Sequence, residues 1–169
     1  MSTTHTWLSR VDVGLPRIVY SNDGVTPRRP LQPLNGLVVV HYTGMNLDFA
    51  AGARAWVPKI ESAAKRLGKS NEYNYVIDEY GTIADYAGVF QGAHCRGHND
   101  AYGVLFLNAI GAPLTDAQVD SFRFWLSTLK AFGFVAPGAW VLPHRTLAAT
   151  SCPGDRIMAR FTELDRPHQ

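Results

Sequence analysis

Residues able to share one piece of chemistry stand at the ends of apolar runs in this 169-residue chain. In LPHRTLAATSCPGD, residues 142–155, His144 and Cys152 are eight positions apart across a loop of small polar residues. His41 ends the β-branched run GLVVVHY, residues 36–42. A strand buried on both faces has no local use for an imidazole at that point. Neutral imidazole and thiolate are ligands that Zn2+ takes in tetrahedral geometry, and three protein ligands leave a position open, as in catalytic sites. His41, His144 and Cys152 are therefore the candidate metal ligands. Two other readings use the same residues. One is a merely hydrogen-bonded strand-end histidine beside a half-buried loop thiol. The other is a Cys152 nucleophile activated by His144, which leaves His41 without a task.

The elements that must position these residues follow from patterning. Residues 1–35 carry Pro16, Pro27, Pro30 and Pro33 and read as an irregular arm laid over a domain of residues 36–166, with 167–169 as a tail. LDFAAGARAWVPKIESAAKRLGKS is helical by composition, is closed by Gly68, and is expected to kink or split near Val57 because of Pro58. EYNYVIDEYGTIADYAG reads as a hairpin, with strands Tyr73–Ile77 and Thr82–Tyr86. GVLFLN, residues 103–108, is another buried strand. Thr115 and Gln118 form a capping box for a helix whose apolar face is Val119, Phe122, Leu126 and Leu129. GAWVLPH is a short strand halted by Pro143, and a last helix is expected from Pro153 to about Asp165. Its positive end would lower the pKa of Cys152. Strands alternating with helices give an α/β (α+β-like) class: one domain with a central mixed sheet flanked by helices.

The remaining histidines are less telling. His94 and His98 in HCRGH have the spacing of one helical face, but Gly92 and Gly97 oppose a helix, so both read as pocket-lining or surface residues. Cys95 reads as an ordinary half-buried thiol. His5 and His168 lie in the tails and are expected in solvent. With only Cys95 and Cys152, the fold must stand on its core rather than on a disulfide framework.

A 46% hydrophobic and 18% charged composition is that of a globular protein. A net charge of +2 is too weak to imply nucleic acid and suits a polyanionic surface such as a cell wall. No apolar run approaches a membrane span. MSTTHTWLSRVDVGLPRIVY lacks the basic start and apolar core of a signal peptide, so synthesis in the cytoplasm is expected. The expected partners include neither nucleic acid nor membrane, and the chain is expected to act as a monomer.

Taken together, VVVHYTG, YNYVIDEYGTI, GAHCRGHN followed by GVLFL, and LPHRTLAATSCPGD resemble the type 2 N-acetylmuramoyl-L-alanine amidases. This family includes phage amidase-type lysozymes and peptidoglycan recognition proteins, and the resemblance runs from about Gly36 to Arg160. It implies one Zn2+ on His41, His144 and Cys152, with Tyr73 and Thr150 as catalytic residues and His94 and Asn99 facing the substrate. The implied partner is peptidoglycan, and the implied reaction is hydrolysis of the amide between the lactyl group of N-acetylmuramic acid and L-alanine. A phage endolysin or related bacterial lytic enzyme, reaching the wall after phage-type release, fits that picture. Arg28 and Arg29 would add affinity for the wall. The chain departs from the family in three ways. Thr150 stands where many phage members have lysine. Ala101–Tyr102 replace a usual Ser-Ile in a link one residue short. No acidic residue follows Gly103 on its strand. The rival function is a non-catalytic peptidoglycan-binding module, a fate of many recognition-type relatives.

Overall fold

The computed structural model describes residues 4–165. The expected domain end at residue 166, the tail and His168 lie outside the described residues. Strands β1 (Trp7–Leu8), β2 (Asn35–Tyr42), β3 (Tyr75–Ile77), β4 (Ile83–Asp85), β5 (Tyr102–Phe106) and β6 (Val135–Pro143) form one six-stranded sheet. Its order is β1-β4-β3-β5-β2-β6. β3 and β4 are antiparallel and the other neighbours parallel, so the sheet is mixed.

Each face of the sheet has its own core. On one, Ala53 and Val57 of α1 (Gly52–Arg66) pack with Val76, Leu105 and Leu107. On the other, Phe122, Trp125 and Leu129 of α2 (Asp116–Ala131) meet Val38, Val40, Val104 and Phe106. The short helices α3 (Asp155–Met158) and α4 (Phe161–Leu164) join that second core through Ile157 and Leu164. The single α/β domain with a mixed central sheet flanked by helices is thus the observed class. Among the described residues no helix is long and apolar enough to cross a membrane.

Local signals account for most elements. Thr115 accepts from the Gln118 backbone N–H at 3.1 Å while the Gln118 side chain accepts from Thr115 N–H at 3.1 Å, completing the capping box. The start of α1 lacks a side-chain cap of its own. Asp78, in the β3–β4 turn, supplies it by accepting from Ala53 N–H at 2.8 Å, and its other oxygen accepts from Thr82 N–H at 2.8 Å. One buried carboxylate therefore ties the hairpin to the helix.

Five expectations are corrected. Pro58 does not split α1, because burial of Ala53, Val57 and Ala64 along one face holds the helix on the sheet across it. The stretch read as an irregular arm supplies β1, which pairs with β4, and buries Val13, Leu15 and Val19. His5, expected in solvent, stacks on Phe124 at 4.2 Å and shares a 3.2 Å hydrogen bond with Ser121. The last helix begins at Asp155 rather than Pro153, since Gly154 has φ 87 and ψ 151, and it breaks at Arg160. β6 is also longer than expected; as the edge strand it tolerates Pro137, and a register shift opposite Asn35–Leu37 absorbs the irregularity.

Candidate metal centre

Strand alternation decides which face each side chain serves. In β2, Val38 and Val40 enter the α2 core, so Val39 and His41 point to the α1 side. His41 pairs with Leu105, which packs with α1. In β6, Val141 and Pro143 lie opposite Val38 and Val40. Trp140, Leu142 and, just past the strand, His144 therefore share the face of His41. The two strands are parallel, so their carboxyl ends arrive side by side, and the His41 and His144 rings stand 4.5 Å apart.

The third member comes back through a closed loop. His144 opens a 3-10 turn, His144–Thr146. Arg145 N–H donates to the Cys152 carbonyl at 2.8 Å, and the Arg145 guanidinium holds Asp155 at 2.8 Å and the Ser151 carbonyl. Cys152 is thereby pinned beside the residue eight positions earlier, with Sγ 3.8 Å from His41 Nδ1. One ligand atom from each of His41, His144 and Cys152 lies within 4.8 Å of the others. On tetrahedral zinc, such atoms stand about 3.3–3.6 Å apart, so small side-chain rotations suffice for a fit.

Electrostatics suit a ligand set awaiting a cation. His41 is 1% exposed, and burial, with the neighbouring His94 and His144, pushes its pKa well below the ordinary 6.5. Burial lowers the pKa of His144 also. Both imidazoles are thus neutral, as ligation requires. The Cys152 thiol departs from expectation: burial pushes it up to about 11. It precedes a four-residue helix by three positions, and that helix end does not offset the loss of water. A cation is what would ionise it.

The other expected site residues separate. Tyr73, just before β3, has its ring 5.1 Å from that of His41, edge to face. Burial, then the charges of Glu72 and Cys152, raise its phenol above the ordinary 10.0. Thr150 is exposed, and its hydroxyl oxygen accepts from Cys152 N–H at 3.2 Å. The other two, His94 and Asn99, have hydrogen-bond partners within the protein. His94, expected to face substrate, is 8% exposed, with Nδ1 3.1 Å from His41 Nε2 and Nε2 3.0 Å from the Ala101 carbonyl. Asn99 uses its side-chain oxygen to accept from Cys95 N–H at 3.0 Å, bracing its own loop. Cys95 is buried rather than half-buried, and both cysteines are free. The Arg28 guanidinium is held within the fold, donating to the Tyr20, Ser70 and Gly92 carbonyls and to Asn22.

Sequence reasoning missed Gly103 and Ala101. A Cβ on Gly103 would lie 2.4 Å from the His94 ring. A glycine inside a buried apolar strand is the signal that could have found this close approach.

Solved structures with this fold include Drosophila PGRP-LB, with TM-score 0.80 and 20% identity over 98% of this chain and 96% of that one. Peptidoglycan recognition protein-LE in complex with tracheal cytotoxin gives 0.81 and 20% over 96% and 95%. The N-acetylmuramoyl-L-alanine amidase LysC from Clostridium intestinale URNW gives 0.66 and 20% over 96% and 95%. A search of curated proteins found no significant match. The family model for N-acetylmuramoyl-L-alanine amidase matches residues 32–155. That match takes in β2 to the start of α3 with all three clustered residues, and the chain belongs to the N-acetylmuramoyl-L-alanine amidase family.

Proposed function

We propose that the chain is a zinc-dependent N-acetylmuramoyl-L-alanine amidase that hydrolyses the lactyl–L-alanine amide of peptidoglycan, as a phage endolysin or related lytic enzyme. The observation that carries this reading is the convergence of His41, His144 and Cys152 within 4.8 Å. The donor set, two neutral imidazoles and a thiol that only a cation would ionise, fits zinc. When bound, zinc supplies Lewis acidity, polarising an amide carbonyl and making hydroxide available near neutral pH.

The chain's own residues would do the rest. Tyr73 keeps its proton at neutral pH, so its role is that of a hydrogen-bond donor beside His41 and not of a base. Thr150 accepts from Cys152 N–H, which orients the hydroxyl and leaves its proton free to donate to the oxygen that gains charge as the amide is attacked.

The recognition-only reading draws on the solved neighbour that holds tracheal cytotoxin, described as monomeric diaminopimelic acid-type peptidoglycan. Purified peptidoglycan separates the two. Hydrolysis should expose new L-alanine amino termini, cease with a chelator, return with zinc, and be absent in Cys152→Ser. Wall binding by the zinc-supplemented protein without new amino termini would reject the enzyme.

A further inference from the structure

We infer that His94 is a positioning residue: it fixes the tautomer of His41, so that His41 offers Nδ1 and not Nε2 to the metal. The inference rests on the zinc reading above and deepens it. A carbonyl oxygen only accepts, so the 3.0 Å contact with Ala101 requires the proton of His94 on Nε2. With Nε2 donating to that carbonyl, Nδ1 is the nitrogen left to accept in the contact with His41. His41 Nε2 must then carry the proton of the 3.1 Å bond between the rings. That leaves the lone pair of His41 on Nδ1, the atom 3.8 Å from Cys152 Sγ.

The relay is built in. The His94 ring lies where side chains at Gly92 and Gly103 would stand, 2.9 Å and 2.4 Å from their imaginary Cβ atoms. Its final acceptor is a backbone carbonyl next to β5 and cannot rotate away. A ligating imidazole whose second nitrogen is held in this manner is oriented before the ion arrives, and removing such a partner typically costs about 10–100-fold in metal affinity.

Two amide variants separate this role from simple filling of space. Asn places its carbonyl oxygen near the position of Nδ1 and can still accept from His41. Gln reaches toward the Nε2 position and can serve only Ala101. Zinc affinity is read by competition with a chromogenic chelator, with no substrate present. His94→Gln should bind about 10–100-fold more weakly than wild type, and His94→Asn should recover most of that loss. Independently of any variant, long-range 1H–15N spectra of wild type should find the protons of both His41 and His94 on Nε2. Equal affinity in Gln, Asn and wild-type proteins would overturn the inference alone, as would equal loss in both variants or a His41 proton on Nδ1. A wild-type protein that binds no zinc would overturn the metal reading and this inference with it.

Discussion

Gly103→Ala tests how tightly the site is packed. Gly103 lies in β5, between β3 and β2, and its backbone cannot step aside without disturbing both ladders. The added Cβ would lie 2.4, 2.5 and 2.8 Å from Cγ, Cδ2 and Nδ1 of His94. Carbon atoms in contact stand about 3.5–4.0 Å apart, so the ring must retreat by about 1 Å. A shift of that size along the bond takes the 3.1 Å contact with His41 past the usual limit for a hydrogen bond. Overpacking of this kind costs about 1–3 kcal/mol. At about 2–4 °C per kcal/mol for a domain of this size, the metal-free protein should melt roughly 2–12 °C lower. Gly138→Ala is the control, because Gly138 is also a strand glycine and nothing lies within 4 Å of its imaginary Cβ. Calorimetry in chelator and zinc competition are run on both variants. If Gly103→Ala melts and binds zinc as Gly138→Ala does, the ring has room and the packing argument is wrong.

Zinc loading should rise with pH near neutrality. Burial holds the Cys152 pKa up at about 11, so the thiol carries a proton that binding must displace. His41 and His144, lowered below 6.5, have none to lose at that pH. Apparent affinity should therefore grow about tenfold per pH unit between about pH 7 and 8. Titration calorimetry in buffers of different ionisation enthalpy should count one proton released per zinc; a count of zero would mean the thiol is already ionised. Thr115→Ala removes the acceptor for Gln118 N–H and the 2.8 Å donation to the Glu79 carbonyl. It should cost about 1–2 kcal/mol, or roughly 2–8 °C in melting temperature. Thr115→Ser should restore most of this, and a serine variant no better than alanine would show that the cap contributes little.

How much of this was legible depended on the distance over which each feature is decided. The capping box of α2 involves Thr115 and Gln118 alone, and the letters contain it. The place of His41 was readable too, because three valines before it mark a buried strand and its end. The convergence of His41 with Cys152 spans 111 positions, and no local pattern encodes it; residue type at the strand ends suggested it, and the joint resemblance of four motifs implied it. β1, two residues long, has no periodicity to read and exists because β4 offers a free edge. The ionisation of Cys152 was misjudged because the position of a helix start was inferred from proline preference, whereas Gly154 at φ 87 delays the helix and leaves burial as the dominant influence. His94 is the most instructive case. The resemblance that picked it out assigned it to the substrate, yet its two nitrogens are claimed by a histidine 53 positions earlier and a carbonyl seven positions later. An imidazole is equally suited by type to ligation, to substrate contact and to orienting another imidazole. What separates these roles is which atoms occupy its two hydrogen-bonding directions, and a missing Cβ at Gly103 is what admits the ring to the place where that choice is made.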